Sequence, residues 1–339
     1  MRPQGPEPCA SAIPPLSRAG ESKDLFPRRR EFNLSADSRR FARGLKHSVI
    51  VATHARPALL ARLLASLAPQ LHSDRDELII ADNGTAAPST LAPGHPPLQH
   101  LHDPEPGKCR IVNRAIGLAR GETLVLVDDD VTVAPGYLDA VEEFFREHPE
   151  YAAMKGRIHP EEDPYRKIGE RAAYLDLPYA DHGETVVDVH GVLGANMAFR
   201  RSVFDRVGLF DERLGPGAAG FDEETEFSTR LRNAGLRIGY SPTALVYHAV
   251  EPARATRDRF LRTARERGRC RVVHEAHSTS HLFGKVAVAW GRTAIARAIR
   301  ARFRRIAREE YKLEIARGMF EGRHHRLPAP TRVRSMPQT

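Results

Sequence analysis

Cysteine is scarce in this chain. Only Cys9, Cys109 and Cys270 occur among 339 residues. Odd in number and far apart, they form no disulfide framework and have no zinc-ligand spacing, which points to a reducing, cytoplasmic setting. Long apolar runs are missing as well: no stretch approaches the ~20 residues that cross a bilayer. The opening segment, MRPQGPEPCASAIPPLSRAG, lacks the apolar stretch of a secretory signal. It is Pro-rich with few large apolar residues, so residues 1–45 read as a disordered tail, as do residues 326–339. No repeat occurs at solenoid or propeller periods.

The hydrophobic fraction of 41% is enough for a sizeable core. The net charge of +9 is unevenly spread. From Ala249 to Thr339 there are 22 Lys and Arg against 8 Asp and Glu, a balance of +14; the remainder carries 30 against 35, or −5. The body is mildly acidic and the tail is basic.

HSVIVAT (His47–Thr53) reads as a short buried strand, and Pro57 opens a helix with Leu59, Leu60, Leu63, Leu64 and Leu67 on one face. ELIIADNGT gives a second buried strand ending in a turn. GKCRIVNRAIGLARG reads as a helix stopped by Gly121, and TLVLV as a third strand. Short apolar strands alternating with amphipathic helices imply an α/β fold with a mostly parallel sheet covered on both faces. A helix follows over residues 139–148, then an irregular Pro-, Gly- and charge-rich stretch from Tyr151 to about Val192. His159, Asp163, Tyr165, Asp181 and His182 lie there with no assignable role. DEETEFSTRLRNAG reads as a helix capped by Asp222 and stopped by Gly235. TALVYH is a last strand, and a basic helical extension spans residues 251–325.

The segment LVLVDDDV runs four apolar residues into Asp128, Asp129 and Asp130. In open α/β sheets, ligands sit at the carboxyl ends of the strands. Alternation along a strand would point Asp128 and Asp130 one way and Asp129 the other. Two like charges on one side need a proton or a cation, and a divalent ion held by one or two carboxylates plus substrate phosphates is the usual arrangement. The plainer reading is a solvated acidic loop. Thr53, Arg56, Asp82, Asn83 and His248 fall at other strand ends, where each by itself is more often a turn or core residue than a ligand.

Taken together, these stretches resemble the glycosyltransferase family 2 domain of GT-A fold, over residues 46–250. The motifs are Thr53 to Arg56 in THAR; Asp82 in IIADNGT; Gly107, Lys108 and Asn113; Asp128 and Asp130 as an Asp-x-Asp motif; Asn196 in GANMAFRR; the acidic pair in EETEFSTRLRNAG; and His248 ending a strand. Two positions depart from the family pattern. Val112 stands where many members have Arg, leaving Lys108 or Arg110 to supply that phosphate contact. The acidic pair is Glu223 and Glu224 rather than Glu-Asp.

The resemblance implies transfer of a sugar from a nucleotide diphosphate donor to a hydroxyl acceptor, with inversion. It assigns Asp128, Asp130 and His248 to a divalent cation, Mn2+ or Mg2+, and Glu224 to the general base. Thr53, Arg56, Asp82, Lys108, Asn113, Asp128 and Asn196 fall to the donor nucleotide. Carboxylates in a first helical turn are also favoured by the helix dipole, by about 0.3–1 kcal/mol, so Glu223 and Glu226 compete with Glu224. The acceptor, whether saccharide, lipid-linked or small molecule, is not identified. Two rival readings are a sugar-nucleotide nucleotidyltransferase and a non-enzymatic nucleic-acid binder. Few aromatics are interleaved among the tail's arginines and no nucleic-acid fold signature is present, so nucleic acid is not the expected partner. In the tail, AIARAIRARFRRIAREE sets Ile295, Ile299, Phe303 and Ile306 at helical spacing among arginines. Either that helix packs on the catalytic domain, or it rests on anionic lipid at the inner face of the membrane.

Overall fold

Strand β1 (His47–Thr53) is buried almost throughout. Val49 and Val51 enter one core layer and Ile50 the other, as in a strand covered on both faces. The computed structural model describes residues 45–84, 98–272 and 277–323, all within one compact unit. The two tails read as disordered lie outside the described residues, except for Leu45.

Helix α1 (Pro57–Leu67) buries Leu60, Leu63, Leu64 and Leu67, with Pro57 in its first turn, where its missing N–H has no partner to lose. There follow β2 (Asp76–Asp82), β3 (Leu98–His102), α2 (Lys108–Leu118), β4 (Thr123–Asp128), β5 (Val131–Val133) and α3 (Tyr137–Glu147). Next come β6 (Tyr151–Pro160), α4 (Pro164–Ile168), β7 (Val187–Asp188), β8 (Met197–Arg200), α5 (Ser202–Val207), α6 (Glu223–Asn233) and β9 (Arg237–His248). The extension forms α7 (Arg257–Arg271), α8 (Thr279–Ala298) and α9 (Phe303–Gly322).

The strands form one sheet in the order β3-β2-β1-β4-β8-β6-β9-β5, with β7 on β9. Strands β3, β2, β1 and β4 are parallel, and β6 pairs parallel with β9; β8, β5 and β7 run against their neighbours. The sheet is therefore mixed in its second half.

Several local readings are corrected. The stretch from Tyr151 is not irregular at first: β6 runs ten residues. Lys155, Arg157 and His159 alternate with buried Met154, Gly156 and Ile158, so charge masks a two-sided strand. Arg157 turns to Glu184 and His159 to Asp181, on the segment that covers this face. Helix α2 ends at Leu118, and Ala119 is already extended, so Gly121 is not its stop. Gly121 instead lies against β1, where an added Cβ would come within 2.5 Å of the His47 carbonyl carbon. Asp222 makes no side-chain capping bond and adopts a left-handed conformation, φ 76°. Gly235 does end α6: its φ is 72°, and Leu236 N–H donates to the Leu231 carbonyl at 3.0 Å.

The stretch AIARAIRARFRRIAREE is two helices, not one. Helix α8 ends at Ala298, Arg300 takes φ 49°, and α9 begins at Phe303. Helices α7 and α9 cross closely: side chains at Gly268 or Gly318 would strike the backbone of Ile315 or Arg265. Ion pairs Arg257–Glu310, Arg265–Glu314 and Arg269–Glu321 lace the same pair.

Candidate active site

The strand register levels the carboxyl ends of the parallel strands. Thr53 faces Asp82 across β1 and β2, and Ala52 faces Asp128 across β1 and β4. Asp82 is buried; its Oδ1 accepts from Gly84 N–H at 2.8 Å, and its Oδ2 lies 3.1 Å from His100 Nε2. Beside it, Asn83 accepts from Gly107 N–H at 2.9 Å and donates to the carbonyls of Asp103 and Glu105. Asn83 thus fixes the entry to α2.

The acidic triplet divides differently from the alternation expected along a strand. The β4 ladder ends at Asp128, and the turn after it carries both following carboxylates to one side. Asp129 accepts from Thr53 Oγ1 at 2.7 Å and from Arg56 at 3.0 Å, and Arg56 also donates to Asp130 at 2.9 Å. Burial pushes the Asp129 carboxyl up, despite Thr53 and Arg56. Asp130 Oδ1 stands 3.2 Å from His248 Nε2 and 3.5 Å separates its Oδ2 from Arg254. Burial alone would raise Asp130, but His248, Arg56 and Arg254 hold it well below the usual carboxylate range.

Asp128 faces the other way, into a cleft shared with Lys108, Gly194, Glu223 and Glu224 and floored by Ile50, Leu126, Met197 and Phe210. Lys108 Nζ donates to Asp128 Oδ1 at 2.7 Å and lies 4.0 Å from Glu223 Oε1. Burial would lower the Lys108 ammonium, but Asp128, Glu223 and Glu224 raise it well above its ordinary value. Burial raises Glu223, reinforced by Glu224; burial also raises Glu224, which Lys108 partly opposes. Gly194 presses against this group: a side chain there would strike Glu224 Oε1 and come within 3.2 Å of Lys108 Nζ.

The loop preceding α6 is clamped from two sides. Lys108 N–H donates to the Pro216 carbonyl at 2.8 Å, and Gly217 lies against Gly107. From the extension, Cys270 Sγ donates to the Ala219 carbonyl at 2.9 Å, and the Arg267 guanidinium sits 5.0 Å above the Phe221 ring.

The expected site residues therefore sort into groups. Lys108, Asp128 and Glu224 meet in the cleft, with Glu223 beside them. Thr53 and Arg56 meet at Asp129, and Arg56 and His248 at Asp130. Glu226 is held outside the cleft by Arg230, at 2.7 and 2.8 Å. Asn113 and Asn196, expected at the nucleotide, are engaged with the protein's own segments. Asn113 exchanges hydrogen bonds with the backbone of Phe210 and reaches Glu212. Asn196 accepts from Tyr137 and donates to the carbonyls of Arg157 and Ala244. Both stitch distant segments together. Of the residues with no assigned role, Asp163 caps α4, His159 pairs with Asp181 and stacks on Tyr179, and His182 meets the Tyr240 ring edge-on. Sequence reasoning missed Asp129, Gly194, Arg254 and Arg267. Gly194 stood inside the quoted GANMAFRR motif; Arg267 had no local signal.

A divalent cation would need hard oxygen or imidazole donors. Among the described residues, no three His, Cys, Asp or Glu side chains gather closely enough to share an ion. Asp130 Oδ1 is nevertheless buried without a hydrogen bond, next to the His248 ring. A pair of protein donors suffices where substrate phosphates supply the rest, so these residues fit a cation of that kind.

Residues 48–208 match the family model described as Glycosyl transferase family 2. Over 157 residues the chain is 24% identical to the glucosyl-dolichyl phosphate glucuronosyltransferase of Haloferax volcanii, which covers 44% of this chain and 50% of that protein. It is 28% identical over 183 residues to the pre-mycofactocin glycosyltransferase of Mycobacterium tuberculosis, covering 50% of this chain and 37% of that one. The chain thus spans half or less of the length of these curated relatives. Among solved structures, the mannosyltransferase PcManGT from Pyrobaculum calidifontis, in complex with GDP-Man and Mn2+, superposes with a TM-score of 0.55 at 18% identity, over 83% of this chain and 88% of that one. S. aureus TarS in complex with UDP-GlcNAc gives 0.50 at 19%, over 70% and 69%. The strand order is thus that of a GT-A-like fold, and residues 48–208 are similar to glycosyl transferase family 2.

Proposed function

We propose that this protein transfers a sugar from a nucleotide diphosphate donor to a hydroxyl acceptor with inversion, and that Glu224 is the base. The carrying observation is the convergence of Lys108, Asp128 and Glu224 in one cleft at the level carboxyl ends of β1 and β4. The acceptor oxygen attacks the anomeric carbon; the C–O bond to the diphosphate breaks on the opposite face, and the acceptor proton passes to Glu224. Burial raises the Glu224 carboxyl toward the working range of a general base. Lys108 keeps its proton throughout and places a fixed positive charge in the cleft. Arg56 brings a second cation to the strand ends, where Asp129 and Asp130 hold it. Asp82 lies at the neighbouring strand end, suited to nucleotide hydroxyls.

The fold relatives solved with GDP-Man and Mn2+ or with UDP-GlcNAc support a nucleotide-sugar donor. Asp130 and His248 would hold the divalent ion, while Asp128 stays paired with Lys108. When bound, such an ion offsets the charge growing on the departing diphosphate.

The test is turnover beside donor affinity for Glu223→Gln, Glu224→Gln and Glu226→Gln. Glu224→Gln should slow transfer by roughly 10²–10⁴-fold and leave donor binding nearly unchanged. Glu224→Asp should keep partial activity. Near-normal turnover in Glu224→Gln, with the loss in Glu223→Gln, would move the base by one residue. Consumption of a nucleoside triphosphate with a sugar phosphate would instead support the nucleotidyltransferase reading.

A further inference from the structure

The outward face of α8 is apolar, although a surface helix normally turns polar residues to water. Toward α9, α8 presents Leu282, Val286, Ala289, Thr293 and Ala296, at alternating spacings of four and three residues. At about 100° per residue, the remaining arc carries Phe283 and Trp290 on one flank and Val288, Ile295 and, just past the helix end, Ile299 on the other, with only Gly and Ala between them from Phe283 onward. These five are 57–64% exposed and make up most of the exposed large apolar side chains among the described residues. Lys285 and Arg292 line one margin of the arc and Arg297 the other.

The charge around this face has one sign. Thr279 to Arg308 contains eight basic residues and no acidic one. Lys285, Arg292, Arg300 and Arg305 are exposed and form no ion pair with a described residue. Of the two sequence-based alternatives for this tail, packing explains only the inner stripe. Ile295 and Ile299 remain in water.

Physical chemistry narrows the occupant. A second copy of the chain would bring this concentration of positive charge against itself. A nucleic acid would neutralise the cations but leave two aromatic and three aliphatic side chains uncovered. An anionic lipid surface satisfies both: rings and aliphatic chains enter the headgroup boundary, and Lys and Arg extend to the phosphates. No described helix is long and apolar enough to cross a membrane, so the contact lies in the plane of the interface. We propose that α8 docks this protein onto anionic membrane surfaces through Phe283, Trp290 and Ile295.

Trp290 is the only tryptophan of the chain and reports on the contact directly. The full chain is added to vesicles of phosphatidylcholine alone, or of phosphatidylcholine with phosphatidylglycerol, and Trp emission and co-sedimentation are measured. With anionic vesicles the emission should shift to the blue and the protein should sediment, at least about tenfold more tightly than with neutral vesicles and less so at raised salt. The double variant Phe283→Glu/Ile295→Glu should lose both signals. Should that variant unfold, Lys285→Glu/Arg292→Glu, changed only at exposed margins, should weaken sedimentation at low salt. An unshifted Trp290 with anionic vesicles, equal binding to neutral lipid, or unweakened binding by the folded variants would overturn the proposal. So would a blue shift that grows with protein concentration without vesicles, since a second copy would then cover the face.

Discussion

Gly194 shows how far the cleft depends on a missing side chain. Its backbone lies against the ends of Glu224 and Lys108, not against other backbone. Those ends can move aside, so Gly194→Ala should fold with a melting temperature within a few degrees of the parent. The cost falls on geometry: Glu224 would be displaced from the acceptor position, and transfer should slow by roughly 10–100-fold. Thermal melting beside turnover checks this, and a collapse of stability with unchanged specific activity would contradict it. The acidic triplet teaches a related point. Its place at a strand end was legible because three carboxylates follow a buried strand. Its partition was not, because alternation holds only while the ladder lasts, and β4 stops at Asp128. Asp129, set apart in the sequence, shares Arg56 with Asp130, while Asp128 joins Lys108.

Among the elements, those with one continuous apolar face could be read directly: β1, β2, β4, α1 and α6 are where their patterns put them. Strands β6 and β8 escaped. The first carries charge at alternate positions, with Arg157 and His159 paired to the neighbouring segment, and the second is four residues long. Their pairings are long-range, and nothing local announces them. The extension was legible as helical but not in how it is held. Glu310 on α9 is one of its ties, accepting from Arg257 at 3.0 and 3.1 Å and from Arg297. Burial would raise this carboxyl, but the two arginines lower it below its ordinary value. The stabilisation is therefore present above the ordinary carboxylate range and is lost as pH falls through the lower folded value. Glu310→Gln should cost about 1–3 kcal/mol at neutral pH. The gap should close in acid, as the parent loses its own charge. Denaturation series at neutral and acid pH decide it; a gap that widens in acid would mean that Glu310 is not the titrating tie.

At the scale of the molecule, the acidic body and the basic extension meet at the loop that leads into α6. Arg267 on α7 is the joint. It pairs with Asp176 at 2.8 Å, donates to Tyr311 on α9 at 2.8 Å and lies over Phe221, two residues before α6. Burial would lower the Arg267 guanidinium, but Asp176 and Tyr311, and after them Glu224, raise it. Asp82, proposed to hold the nucleotide, has its own partners in Gly84 and His100 and shares none of these contacts. Weakening the joint should therefore loosen Glu224 without releasing the donor. Arg267→Met keeps much of the apolar stem but loses the charge and the fork. It should lower kcat by about tenfold or more and change donor affinity by less than about threefold. Arg267→Lys retains the charge without the planar fork that meets Asp176 and Tyr311 together, so it should recover only part of the loss. Steady-state kinetics with donor binding measured separately distinguish the cases. Equal losses in kcat and donor affinity would make Arg267 a support of the whole fold rather than of α6.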